Sequence, residues 1–155
     1  MKRIALFPGS FDPFTKGHED IVLRGLRLFD EVVIGIGRNA RKERYFPLEQ
    51  MMHLIEEAFR DYPAVRVMSY DDLTANVARK EGATFLLRGL RNTTDFEYEN
   101  GISQVNRYVY EEVETVFLIT SPHLAPISSS IIRDLHRYGQ QVDEFLPYKL
   151  VNQPA

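Results

Sequence analysis

The sequence predicts an α/β fold: a doubly wound, five-stranded parallel sheet with helices on both faces. Short apolar runs alternate with longer stretches of helical periodicity, no repeated hairpin turn signals lie between them, and the polar segments richest in glycine and hydroxyls follow strands. Parallel strands need a crossover, and an intervening helix supplies it with right-handed connectivity.

In chain order, Ile4-Ala5-Leu6-Phe7 is a buried-strand run cut by Pro8-Gly9, and Gly17 to Phe29 carries Ile21, Leu23, Leu26, Leu28 and Phe29 at helix-compatible spacings. Val32 to Ile36 is the second strand, followed by the basic loop Arg38 to Arg44. Pro47 suits the first turn of a helix whose apolar stripe is Leu48, Met51, Met52, Ile55 and Phe59, before Pro63. Val65 to Met68 is the third strand, and Asp71 or Asp72 is expected to cap the helix Leu73 to Glu81, ended by Gly82. Thr84 to Leu87 is the fourth strand, followed by the polar segment Arg88 to Asn92. Thr94-Asp95-Phe96-Glu97 reads as a capping box opening a helix from about Asp95 to Tyr110. Val113 to Ile119 is the fifth strand, and Ser128 to Tyr138 the last helix, stopped by Gly139.

Composition narrows the function. A chain of 155 residues with 44% hydrophobic and 26% charged residues is expected to form one domain, spanning 1–155, whose core needs no disulfide or structural metal. The absence of cysteine excludes a disulfide scaffold, a thiolate metal site and a thiol nucleophile. Nineteen Lys and Arg against 22 Asp and Glu leave a formal charge of −3, which argues against a duplex nucleic-acid partner, so an anionic ligand must meet a local cationic cluster. Met1 to Phe7 is too short an apolar run for a signal peptide or membrane span, so a cytoplasmic location without membrane contact is expected.

Three segments after strands have compositions that core packing does not explain. Between the first strand and helix, Gly9 and Gly17 permit close backbone approach, Ser10 and Thr15 offer hydroxyls, and His18 sits in a helical first turn that favours anions. A surface turn would explain this segment if it stood alone. Arg88 and Arg91 then place two permanent cations around Gly89. Asp95, Glu99 and Asn106 share one line of the following helix, beside the apolar stripe Tyr98, Ile102, Val105 and Val109; a solvated edge and a functional one both fit. Ser128-Ser129-Ser130 offers more hydroxyls at a helix start than one N-cap requires. In the common strand order 3-2-1-4-5, the crevice opens between strands one and four, where these segments converge, with Lys42 at the rim.

Thr15-Lys16-Gly17-His18 together with Ile127 to Arg133 resembles the T/HxGH and ISS(S/T)xxR pair of the nucleotidyltransferase superfamily, whose fold is Rossmann-like. The strings Pro8 to Pro13, Leu87 to Arg91 and Asp95 to Glu99 extend the resemblance, from Arg3 to Pro147, to the bacterial phosphopantetheine adenylyltransferases. That resemblance implies adenylyl transfer from ATP to 4′-phosphopantetheine, giving dephospho-coenzyme A and pyrophosphate. It implies an ATP site of Ser10, Phe11, His18, Gly89, Leu90, Arg91, Glu99, Leu124, Ala125, Pro126, Ile127, Ser128, Ser129 and Ser130. Ser10, Lys42, Thr74 and Arg88 would hold phosphopantetheine, and His18, Lys42 and Arg91 would be catalytic. Mg2+ would arrive with ATP rather than on a protein metal site, a homohexamer is expected, and coenzyme A is a candidate feedback ligand. Ser10 stands where threonine is frequent in that family, Leu124 where an aromatic ring is common, and Asn100-Gly101 where a bulkier pair is usual. A cytidylyl- or nicotinamide-mononucleotide-type transferase and a non-catalytic nucleotide-binding module stand as alternative readings.

Overall fold

The computed structural model describes residues 1–150. Five strands, β1 (Ile4–Gly9), β2 (Glu31–Gly37), β3 (Val65–Tyr70), β4 (Phe85–Leu90) and β5 (Glu114–Ile119), form one parallel sheet in the order β3-β2-β1-β4-β5. The helices between and after them are α1 (Lys16–Gly25), α2 (Leu48–Ala58), α3 (Thr74–Lys80), α4 (Thr93–Val109) and α5 (Ser129–Arg137). The predicted winding, with its reversal between β1 and β4, is the one observed.

Alternation along the strands divides the core in two. Ala5 and Phe7 of β1, Val32, Ile34 and Ile36 of β2 and Leu87 of β4 pack with Ile21 and Val22 of α1, Met51, Leu54 and Ile55 of α2, and Ile132 of α5. Leu6, Val33 and Leu86 point the other way, against Ala75, Val77 and Ala78 of α3 and Tyr110 and Val113 beyond α4. Burial on both faces explains why the central strands read as continuous apolar runs.

The structure corrects three boundaries. β4 continues through Arg88, Gly89 and Leu90, paired with Phe117, Leu118 and Ile119, so the segment expected as a loop is strand. Gly89 allows it, since a Cβ there would lie 3.1 Å from Cγ1 of Ile21 on α1. α4 begins at Asn92, whose side chain accepts from the Asp95 amide, and not at Thr94. α3 has Leu73 at its N-cap without a side-chain cap bond; Asp72 instead accepts from the Leu73 amide and from Asn76.

Both expected glycine stops take left-handed backbone, Gly82 at φ 71° and Gly139 at φ 82°. In each the glycine amide and the next amide bond back into the last turn, Gly82 to Arg79 O and Ala83 to Ala78 O, Gly139 to His136 O and Gln140 to Leu135 O. Gly82 and mid-helical Gly101 both have open space where a Cβ would stand, so backbone conformation alone decides the effect of alanine. Gly82→Ala should lower unfolding free energy by about 1 kcal/mol, and Gly101→Ala should raise it by up to about 1 kcal/mol, read as opposite shifts of the urea midpoint at constant slope.

Candidate active site

The cleft is built from the loop after β1 upward. Thr15 is the N-cap of α1: its Oγ1 accepts from the His18 amide at 3.3 Å, while its own amide donates to His18 Nδ1 at 2.9 Å. This is a capping box with histidine in the place usual for Glu or Gln, so the anion-favouring first turn of Thr15-Lys16-Gly17-His18 is also the cap of its own helix. An Nδ1 that accepts must leave the proton of a neutral imidazole on Nε2. The rings of Phe11 and Phe14, with centroids 5.0 and 5.3 Å away, wall the imidazole in. Burial first, then the charges of Arg88 and Arg91, push the His18 pKa down from 6.5 to about 3. His18 is therefore a neutral Nε2–H donor in the free protein.

The cationic segment is more self-contained than its sequence suggests. Arg88 Nε donates to Glu99 Oε2 at 2.9 Å, its Nη2 to Glu99 Oε1, and its Nη1 to the Pro8 carbonyl. An arginine on a strand under α4 requires a buried counter-charge. α4 consequently turns Glu99 and Asn106 inward and leaves Tyr98, Ile102 and Val105 exposed, while Val109 alone of that stripe packs against the core, so the polar line is not a solvated edge. Arg91 grips Asp95 through Nε at 3.1 Å. Burial raises the Asp95 pKa, but the hydrogen bonds and charge of Arg91 outweigh it, and the carboxyl titrates below its ordinary value.

The serine triplet divides its work. Ser128 is the N-cap of α5, its hydroxyl accepting from the Ile131 amide. Ser129 Oγ donates to the Pro13 carbonyl at 2.8 Å, tying the helix start to the first loop, and Ser130 Oγ accepts from Arg133 at 3.3 Å. First-turn amides have no intrahelical acceptor and remain available to anions.

These groups open on one cavity of about 290 Å³, lined by His18, Gly89, Arg91, Leu124, Ile127 and Ser128 to Ser130, with Arg88 and Glu99 at its wall. Arg88 and Glu99 also line a second cavity of about 310 Å³, with Ser10, Thr74, Tyr70, Tyr98 and Ile102. The Arg88–Glu99 pair is thus a partition between two chambers. Lys42 is exposed on the loop after β2 and lines, with Ser10, a third recess. Four positions expected at the nucleotide site are not on its wall. Phe11 is buried, at φ 44°, with its ring behind His18; Leu90 ends β4 against Ile119; Ala125 and Pro126 lie in the turn before α5, between the lining residues Leu124 and Ile127. Ser10, also expected there, faces the second chamber instead.

The residues that hold the first loop carry no local signal of that role in the sequence. The Asp12 carboxylate accepts from the Tyr45 and Phe46 amides, each at 2.8 Å, and the Asp12 carbonyl accepts from Arg133 at 2.8 Å. Arg44 donates to the Ser10 and Phe11 carbonyls. Asp-Pro after a strand and a basic loop were visible, but their pairing depends on tertiary contact.

Between pH 6.5 and about 3 the unfolded chain protonates His18 and the folded chain does not, so this residue's contribution to stability is complete above pH 6.5 and falls as pH drops through that window. Imidazole nitrogen NMR should show His18 neutral, protonated at Nε2, down to pH 5; a midpoint near 6.5 would contradict the assigned environment. His18→Asn should flatten the loss of unfolding free energy from pH 6.5 to 4.

A sequence profile of the cytidylyltransferase-like family matches residues 6–135. The chain is 61% identical over 150 residues to the phosphopantetheine adenylyltransferase of Cytophaga hutchinsonii, covering 97% of this chain and 100% of the relative. It is 52% identical over 145 residues to that of Flavobacterium johnsoniae, covering 94% and 95%. Among solved structures, a bifunctional NMN adenylyltransferase/ADP ribose pyrophosphatase from Francisella tularensis superposes with a TM-score of 0.70 at 18% identity, over 95% of this chain and 45% of that one. NadR protein in complex with NR gives 0.59 at 19%, over 86% and 40%. At that identity both show the fold alone, and the chain spans less than half the length of either. The identity to curated relatives across their full length decides the family: the chain belongs to the cytidylyltransferase-like proteins and, within them, to the phosphopantetheine adenylyltransferases.

Proposed function

We propose that residues 1–155 act as one nucleotidyltransferase domain that transfers the adenylyl group of ATP to 4′-phosphopantetheine, giving dephospho-coenzyme A and pyrophosphate. The observation that carries the reading is the pair of chambers meeting at Arg88–Glu99, one lined by anion-binding groups and the other by Tyr70, Tyr98 and Ile102. The first suits a nucleotide triphosphate and the second a phosphorylated amide arm. An oxygen of the acceptor phosphate attacks the α-phosphorus of ATP; that P–O bond forms as the bond to the bridging α–β oxygen breaks, and pyrophosphate leaves with the electron pair. The nucleophile is already anionic, so no protein base is required, and catalysis consists of holding two repelling phosphates together while stabilising charge on the α-phosphoryl group.

His18 Nε2–H donates to the α-phosphoryl oxygen without giving up its proton. Arg91 and the amides of Ser129 and Ser130 receive the β and γ phosphates, and Ser10 and Lys42 receive the acceptor phosphate at the mouth between the second and third recesses. Thr74, whose Oγ1 lies 3.0 Å from the Tyr70 hydroxyl, sits along the acceptor arm. Arg88 shapes the junction, its charge largely answered by Glu99. Among the described residues no group of three or more His, Asp or Glu side chains is placed to hold a metal; Mg2+ would enter with ATP, through its phosphates, and would offset their charge. Coenzyme A, carrying the same pantetheine arm, would compete for the same chambers. A cytoplasmic place follows from this biosynthetic role; no helix among the described residues is long and apolar enough to cross a membrane.

The exposed apolar face of α4, with Val105 59% and Tyr108 91% accessible, supports assembly into a homohexamer through that helix. Val105→Glu should lower the assembled mass in sedimentation velocity; an unchanged mass would remove α4 from the interface.

Pyrophosphate release, measured with ATP or CTP against 4′-phosphopantetheine, glycerol 3-phosphate and nicotinamide mononucleotide, tests the function. Turnover should require ATP and phosphopantetheine together, and ATP binding without product would favour a non-catalytic module. His18→Ala should cut turnover about 10²- to 10³-fold with a smaller change in ATP affinity. Lys42→Ala should act mainly on the KM for phosphopantetheine.

A further inference from the structure

Tyr45 lines the third recess beside Lys42 and His136 lines none of the three, yet the two side chains join the elements that build the chambers. Three α5 residues at i, i+4 and i+7 occupy one stripe of that helix. Ser129 Oγ donates to the Pro13 carbonyl, Arg133 to the Asp12 carbonyl, and His136 Nδ1 shares a 2.6 Å hydrogen bond with the Tyr45 hydroxyl. The first two reach the loop after β1. The third reaches the loop after β2, three residues from Lys42.

Tyr45 is held at its other end as well, its amide donating to Asp12 at 2.8 Å. The guanidinium of Arg137 lies over its ring, 5.3 Å from the centroid, and the His136 ring meets it edge-on. Loop, loop and helix therefore form a closed circuit of which the hydroxyl–imidazole bond is one link. His136 is a poor choice as core filler, because its Nε2 is buried without a hydrogen-bond partner among the described residues. Its place is explained by what Nδ1 holds.

We propose that Tyr45 and His136 are positioning residues for the acceptor half of the reaction: their bond sets the Lys42 loop at a fixed distance from the phosphate-binding start of α5. The assignment rests on the transferase reading above. Exchanging both partners for apolar groups of similar shape leaves no unpaired atom between them, so the pair's contribution should appear in substrate handling more than in stability.

The test compares Tyr45→Phe, His136→Leu, His136→Asn and the double variant Tyr45→Phe/His136→Leu by steady-state kinetics and by amide hydrogen exchange over residues 38–46 of the free protein. Tyr45→Phe and His136→Leu should each raise the KM for phosphopantetheine about five- to tenfold, with kcat and the KM for ATP within about twofold, and should speed exchange in the loop. His136→Asn keeps a polar atom near the place of Nδ1 and should restore most of the loss, while the double variant should be no worse than either single one. Unchanged loop exchange in Tyr45→Phe, equal rises in both KM values, or a His136→Asn no better than His136→Leu would overturn the proposal. A wild-type chain without transferase activity would sink the functional reading instead, and the exchange comparison would still decide whether the pair holds the loop.

Discussion

The reciprocal bond between Thr15 and His18 is the constraint on which the site depends. A free histidine at a helix start would ionise near neutral pH and rotate; here the cap takes Nδ1 as acceptor, fixing ring orientation and tautomer together. The aromatic wall of Phe7, Phe11 and Phe14 and the two neighbouring guanidiniums then keep the ring uncharged. In the proposed reaction a neutral donor would stabilise charge developing on the phosphoryl group without a proton to recover. Phe11 serves this end from behind the histidine, and Gly9 makes room for it: a Cβ on Gly9 would stand 2.8 Å from the Phe11 ring.

Charge is handled by local pairing inside a chain whose net charge is mildly negative. Arg88 is answered by Glu99 and Arg91 by Asp95, so the protein folds without uncompensated cations massed at the C-terminal end of β4. Incoming phosphates would then meet oriented donors whose counter-charges are already in place. The same demand explains α4, which turns Glu99 and Asn106 toward Arg88 and leaves Tyr98, Ile102, Val105 and Tyr108 exposed.

Much of the fold was legible because it rests on local pattern. Continuous apolar runs marked the doubly buried strands, and Gly82 and Gly139 marked helix ends through their left-handed backbone. Caps were less legible: Asn92 and Thr94 are both competent N-caps, and only the extension of β4 through Leu90 decides between them. The placement of the site was legible where residue type points to a cleft, as at His18, Arg91 and the serines, which line one cavity. It was illegible where chemistry depends on a distant partner. Nothing in the string Arg44-Tyr45-Phe46 announces that its amides hold Asp12, and nothing in Glu99 announces that it turns inward to Arg88 rather than outward.

The most direct measurement is a crystal structure with dephospho-coenzyme A bound. The account requires the ligand to pass the Arg88–Glu99 partition, adenylate in the chamber of Ser128 to Ser130 and pantetheine beside Tyr98, with its diphosphate within hydrogen-bonding distance of His18 Nε2. A diphosphate seated away from His18, or a ligand confined to one chamber, would contradict it.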